Sequence, residues 1–349
     1  MPLSHHFRIF LVLALLLLTS ACQQQAPREY KQTLLVFGTL VNITLRDIDP
    51  KLAQESIEHI RKDLNFMHKA WHAWQPGPMG RTNTLLATGA WFSADPSVLP
   101  LIKRGRELAD ITNNLFNPAI GKLIALWGYH QDEAPKGPPP PKKDIEKLLA
   151  QHPRMSDIEI DGLRMRSRNP AVQLDFGGMA KGFAIDQIID YLRKQGVHNA
   201  IINAGGDLKV IGSHGDRPWR IGIRHPRKKG DVLAALNVSD GESVFTSGDY
   251  ERYYDYKGRR YDHIIDPRTG YPTDQSTSVT VILGDAAAAD AAATALFVAG
   301  PSGWQTIASK MHLRYVMLVD KKGEIIMTPA MAKRIELTEM NDKPIIIQP

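Results

Sequence analysis

A chain of 349 residues with 43% hydrophobic and 23% charged residues has the make-up of a globular protein with one large domain or two, which excludes a disordered or fibrous chain. Its single cysteine excludes an internal disulfide framework. The net charge of +6 does not imply nucleic acid, because the basic residues are spread along the chain and the densest run, Arg224 with Arg227, Lys228 and Lys229, suits a solvated loop.

The N-terminus carries a targeting signal. His5, His6 and Arg8 precede an apolar run from Ile9 to Leu18, followed by Thr19-Ser20-Ala21-Cys22. The run is too short to span a bilayer, and the order basic, apolar, small is that of a secretory signal. Residues 1–21 read as a cleaved lipoprotein signal peptide, with Cys22 as the lipidation site and 22–33 as a polar tether. Thr19 stands where such signals usually carry Leu, and ordinary cleavage beside an incidental cysteine is the alternative. Removing residues 1–21 deletes only Arg8, leaving 42 − 37 = +5.

Folded sequence is expected from about Leu34. Leu34–Thr44 is strand-like, interrupted at Phe37-Gly38-Thr39. Asp49-Pro50 has the form of an N-cap with Pro at the first helical position, and Leu52, Ile57, Ile60, Leu64 and Met67 follow on one face. Trp71–Pro78 is an aromatic loop. His68 and His72 lie one helical turn apart, so zinc ligation is conceivable, but surface histidines fit better because no acidic or cysteine partner completes the site. Asp95-Pro96 is expected to start a second capped helix. Pro135–Pro141 is too rich in Pro and Gly for a helix interior or a central strand.

Val172–Gly206 is the most organised stretch. Val172–Leu174 reads as the end of a buried strand, and Gly177, Gly178 and Gly182 surround Lys181. Ile185, Ile188, Ile189 and Leu192 recur at helical spacing until Gly196, and Ala200–Asn203 reads as a strand ending at Gly205-Gly206-Asp207. A glycine turn before a helix suits a phosphate. The P-loop and dinucleotide fingerprints are both absent, so two ordinary turns flanking a strand–helix–strand unit remain the alternative.

Further on, Trp219–Arg224 alternates like a half-buried strand, and Thr246–Tyr250 reads as a polar turn. His263 ends a strand-like segment before Asp266-Pro267-Arg268-Thr269-Gly270. Val279–Leu283 is a strand, and Asp285 caps an alanine-rich helix stopped by Gly300-Pro301. Leu313–Val319 and Glu324–Met327 form a hairpin. On the alanine-rich helix, Asp290 and Thr294 share a face and offer hard oxygen ligands suited to Mg²⁺, although such pairs are often merely solvated. His263 is a general base near neutral pH or a structural hydrogen-bonder. Asp175 can accept from a nucleobase or ribose, or cap its glycine turn.

Taken together and in order, Leu174–Gly182, Asn203–Asp207, Thr246–Tyr250, His263–Gly270 and Ala289–Thr294 resemble the motifs of the bacterial FAD:protein FMN transferase family (ApbE, flavin transferase). The resemblance runs from Phe37 to about Gly300. It implies one mixed α/β (α+β) domain over residues 34–340, with a T-fold-like core and a helical N-terminal part wrapped on it. It places FAD against Phe37, Trp74, Leu115, Phe116, Asn117, Asp175, Lys181 and Ile265, with Trp74 standing where many members have a stacking Tyr. It implies Mg²⁺ on Asp290 and Thr294 with the Gly178 main chain, and His263 as the base. The implied reaction moves FMN from FAD, a substrate, onto a protein Thr or Ser hydroxyl and releases AMP. The implied partners are redox-protein subunits carrying that hydroxyl, with the enzyme lipid-anchored on the periplasmic side of the inner membrane. Phe37, where many members have Met, and the Gln75–Asn83 loop depart from the common pattern. A flavin-storage lipoprotein and a metal-dependent FAD pyrophosphatase are the alternative activities.

Overall fold

The computed structural model describes residues 29–131, 133–338 and 344–348. The signal peptide, Cys22 and most of the expected tether lie outside the described residues. Among the described residues, no helix is long and apolar enough to cross a membrane.

Nine strands form one sheet whose spatial order equals chain order. They are β1 (Glu29–Val36), β2 (Thr39–Arg46), β3 (Asn199–Ala204), β4 (Asp207–Ile211), β5 (Ser243–Gly248), β6 (Ser276–Leu283), β7 (Tyr315–Asp320), β8 (Ile325–Met327) and β9 (Ile345–Ile347). Every neighbouring pair is antiparallel except β8–β9. β1 starts at Glu29 and pairs in register with β2, so Glu29–Thr33, expected in the tether, are strand.

The central strands are buried on both faces. Successive side chains of a strand point to opposite sides, and here both sides meet apolar partners. Phe245, Val281, Val316 and Leu318 join the main core, while their neighbours Val244, Ile282, Met317 and Val319 join a second core. This is why β6 reads as a near-continuous run of Thr, Val and Ile. The second core is closed by a small sheet of Trp219–Arg224, Val232–Val238 and Glu336–Leu337.

The main core lies between the large sheet and the helices. These include α1 (Pro50–Trp71), α2 (Pro78–Leu86), α3 (Leu99–Ile111), α4 (Ala180–Lys194) and α5 (Ala286–Lys310). Asp49 caps α1 as expected, its carboxylate accepting from the N–H groups of Lys51 and Leu52. Asp95 differs: its carboxylate takes the N–H and hydroxyl of Ser97 in a turn, and the helix begins later, at Leu99. Gly300 does end the first part of α5, with φ 66° and ψ −176°, and Pro301 opens a second helical stretch at once.

Three further expectations are corrected. Val172–Leu174 is not a strand; it is an extended segment held by an isolated bridge between Ile120 and Gln173 and by both amide atoms of buried Asn83. There is also no parallel crossover around α4, because β3 is antiparallel to both β2 and β4. Thr246–Gly248 complete β5, and the turn begins only at Asp249.

Candidate active site

A cavity of about 480 Å³ opens where the β1–β2 turn, the start of α4, the β3–β4 turn, the end of β5 and the loop after the Arg259–Asp262 strand converge. Phe37, Phe116, Lys181, His263, Asp290 and Thr294 all form its wall.

The start of α4 is built by its glycines. Asp175 caps the turn, its Oδ1 accepting from the Gly177 N–H at 2.8 Å. Gly182 lies where α4 and α5 touch backbone to backbone. A Cβ there would stand 2.2 Å from the Ala286 carbonyl oxygen. The same contact lets the Gly182 N–H donate to Asp290 Oδ2 at 3.2 Å. Gly182→Ala is therefore expected to destabilise the protein by about 1–3 kcal/mol through overpacking, despite the better helix propensity of alanine. A thermal melt at or above the wild-type midpoint would contradict this packing.

Lys181 lies between two carboxylates, 3.3 Å from Asp207 Oδ2 and 3.7 Å from Asp290 Oδ1. Burial alone would lower its pKa, but Asp290 and Asp207 outweigh burial and raise it, so the ammonium stays charged. Asp207 is itself fixed. Gly205 and Gly206 form the tight β3–β4 turn with φ of 70° and 115°, a conformation that suits glycine. Asp207 Oδ1 then accepts from the Thr246 N–H of β5 at 3.0 Å. Burial and Asp207 push the Asp290 carboxyl up to about 6, against the opposing pull of Lys181 and the Gly182 N–H.

One turn after Asp290 on α5, the Thr294 hydroxyl lies 3.3 Å from Ser247 Oγ. A Cβ on Gly178 would come within 2.9 Å of Thr294 Oγ1, so only glycine lets the chain pass that close. The donors gathered here are oxygens: the Asp290 carboxylate, the Thr294 hydroxyl and the adjacent Gly178 backbone. That set suits Mg²⁺, which takes few protein ligands and fills its shell with water and phosphate oxygens. Among the described residues, no group of three or more His, Cys, Asp or Glu is placed to hold a metal, and His68 accepts the Phe37 N–H on its Nδ1 at 3.2 Å.

His263 is oriented by one carbonyl. Its backbone N–H donates to Arg252 O at 3.1 Å, and its Nδ1 lies 3.2 Å from the same oxygen. A carbonyl only accepts, so Nδ1 carries the proton and Nε2 keeps its lone pair. Burial, reinforced by the Arg252 guanidinium and Lys181, lowers the His263 pKa to about 4 against the pull of that hydrogen bond. The ring is thus neutral at physiological pH. Arg252 is held by the carbonyls of Tyr129 and Gln131.

Most of the expected residues meet here. Leu115, Asn117, Asp175, Gly178 and Ile265 also form the wall. Trp74 does not; its indole N–H donates to Asp175 Oδ2 at 2.8 Å, which stations the ring behind that carboxylate. The Asn117 amide is spent on Pro153 O and the Ala119 N–H, so its side-chain polar atoms serve the fold. Asp266 serves its turn, gripping Arg268 through the backbone and the guanidinium. Sequence reasoning passed over Asp207, Ser247, Glu251 and Arg252 as site residues. Asp207 was signalled by its place in Gly205-Gly206-Asp207, whereas Arg252 acts through its carbonyl and leaves no sequence signal.

Residues 37–317 match the family model described as the ApbE family. The chain belongs to the ApbE family. An FAD:protein FMN transferase of Rhodobacter capsulatus is 42% identical to it over 313 residues, 89% of this chain and 59% of that longer protein. A crystal structure of the ApbE protein from Thermotoga maritima superposes with a TM-score of 0.77 at 30% identity, covering 85% of this chain and 96% of that one. The apo flavinyl transferase ApbE of Pseudomonas stutzeri gives a TM-score of 0.77 at 28% identity over 88% of this chain and 96% of that one. The ApbE match begins at Phe37, so it takes in the cavity from its first wall residue onward.

Proposed function

We propose that the chain is an FAD:protein FMN transferase that moves FMN from FAD to a Thr or Ser hydroxyl of a target protein. The hydroxyl oxygen bonds to the FMN phosphorus, the bond to the AMP phosphate breaks, and AMP leaves. The observation that carries this reading is the juxtaposition, in an ApbE-family chain, of charged Lys181, the Asp290–Thr294 oxygens and a neutral His263 in the wall of one cavity.

Each residue then has a task. The Nε2 of His263 takes the hydroxyl proton as the oxygen attacks. Lys181 balances negative charge on the diphosphate, where that charge grows. Phe37 and Phe116 offer aromatic faces to the flavin, and Asp175 holds the Trp74 indole by its N–H. Asp290, Thr294 and the Gly178 backbone would hold Mg²⁺, which when bound neutralises charge on the transferring phosphoryl group. FAD is consumed as a substrate, so the protein itself needs no redox group.

Incubating the purified protein with FAD, Mg²⁺ and an acceptor peptide tests the reading. Flavin-labelled peptide and AMP are expected. AMP with free FMN would instead make the protein a pyrophosphatase, and neither product would leave it a flavin-binding protein. The proposal extends to location: residues 1–21 are removed, Cys22 is lipidated, and the enzyme works on redox-protein subunits at the periplasmic side of the inner membrane. Cys22→Ser is expected to yield soluble, active protein; a variant that still fractionates with membranes would refute the anchor.

A further inference from the structure

Arg224 and Glu251 meet across the lip of the cavity. Arg224 ends one strand of the small covering sheet, and Glu251 lies in the turn after β5. Arg224 Nη1 stands 3.0 Å from Glu251 Oε1, and both residues belong to the cavity wall. Their side chains remain 52% and 43% exposed, so the pair is screened by water and readily exchanged.

Charge makes that exchange consequential. Asp175, Asp207, Glu251 and Asp290 face the cavity against Lys181, Arg224 and Arg252. Lys181 is shared between Asp207 and Asp290. Arg252 is committed to two carbonyls. Arg224 is the wall cation whose ion pair is an exposed one. Glu251 also interacts with Asp207 and Lys181, so it lies within electrostatic reach of the ammonium that would meet a diphosphate. A diphosphate arriving at Lys181 repels Glu251 and attracts Arg224, whose planar guanidinium matches phosphate oxygens in pairs.

We infer that Arg224 changes partners when FAD binds, leaving Glu251 to donate to the FAD diphosphate. Glu251 holds this arginine in readiness and weakens FAD binding while it does so. The inference rests on the flavin transferase reading.

The test is equilibrium binding of FAD and of riboflavin, which lacks phosphate, followed by flavin fluorescence at fixed Mg²⁺ without acceptor. The proteins are the wild type, Arg224→Gln, Glu251→Gln and the double variant. Arg224→Gln is expected to weaken FAD binding about tenfold and Glu251→Gln to tighten it by up to about tenfold, the scale of one charge-assisted hydrogen bond. The gain from Glu251→Gln should be much smaller in the Arg224→Gln background, where only the relief of Glu251's own repulsion of the diphosphate remains. Riboflavin affinity should not change in any variant.

A gain from Glu251→Gln that is undiminished in the Arg224→Gln background overturns the exchange, since Glu251 then acts by its own field alone. Weaker FAD binding by Glu251→Gln, or riboflavin affinity falling together with FAD affinity, overturns it too, because the pair then merely supports the fold. Wild-type protein that binds no FAD removes the transferase reading and the exchange together. Wild-type binding with any of the contrary variant results removes the exchange alone.

Discussion

Replacing His263 with alanine is expected to lower single-turnover transfer by about a hundred- to ten-thousand-fold, the usual contribution of a positioned general base. FAD affinity and folding should change far less. The reason is the ring's environment: the Arg252 carbonyl fixes the proton on Nδ1, and burial keeps the imidazole neutral with a pKa of about 4. Neutral imidazole is the competent form, so protonation of His263 should cost transfer only as pH drops through about 4, below the separate fall expected near 6 as the Asp290 carboxyl takes up its proton. An ordinary histidine would already lose half its activity near its usual pKa of about 6.5.

Linkage gives an independent check with the sign worked out. The folded pKa of His263 lies below its unfolded value of 6.5, so the unfolded chain binds the extra proton first. The His263 contribution to stability should therefore fall as pH drops from about 6.5 to about 4, and it is read as the difference in stability between wild type and His263→Ala across that window. A purely structural His263 would show flavin binding, melting temperature and transfer falling together. A stable, flavin-binding His263→Ala protein with near-normal single-turnover transfer would end the base assignment.

Asp290→Asn is expected to reduce transfer by about two to three orders of magnitude, because a metal site contributes several kcal/mol of charge stabilisation. The asparagine keeps an oxygen for the Gly182 N–H and nearly the same volume, so the helix contact survives. It removes the charge that, with Asp207, holds Lys181 in place. Flavin affinity should persist, because Phe37 and Phe116 are untouched. The Mg²⁺ concentration needed for half-maximal transfer should rise. Unchanged transfer at limiting Mg²⁺ is incompatible with Asp290 as a ligand.

The legible part of the structure was local. Asp49 before Pro50 announced α1, the isoleucine spacing announced α4, and the Asp320–Gly323 turn announced the β7–β8 hairpin, because each is decided by neighbours within a few residues. The errors follow the same rule. Val172–Leu174 has a strand's composition, but Asn83, 91 residues away, takes the Leu174 backbone groups that would have served a ladder. Thr246–Gly248 looked like a polar turn because Thr and Ser are found in both settings. Pairing with Ser278–Thr280 of β6 made it strand.

The sequence by itself determined α1, α4, the first part of α5, the β7–β8 hairpin, the mixed α/β class and five ordered motifs that named a family, whereas α2 lies where a Gln75–Asn83 loop was expected. Those features depend on short-range periodicity, capping and residue identity. Tertiary structure alone decided how the motifs act on one another. The Gly182 N–H meets Asp290 across 108 residues, because two helices touch where glycine leaves no Cβ. Lys181 falls between Asp207 and Asp290 through the same contact and through the β3–β4 turn. His263 is neutral because the fold buries it beside Arg252, and Trp74 stands behind Asp175 rather than in the cavity wall. Burial and electrostatic environment are sums over neighbours distant in the chain, and they exist only once the chain has folded.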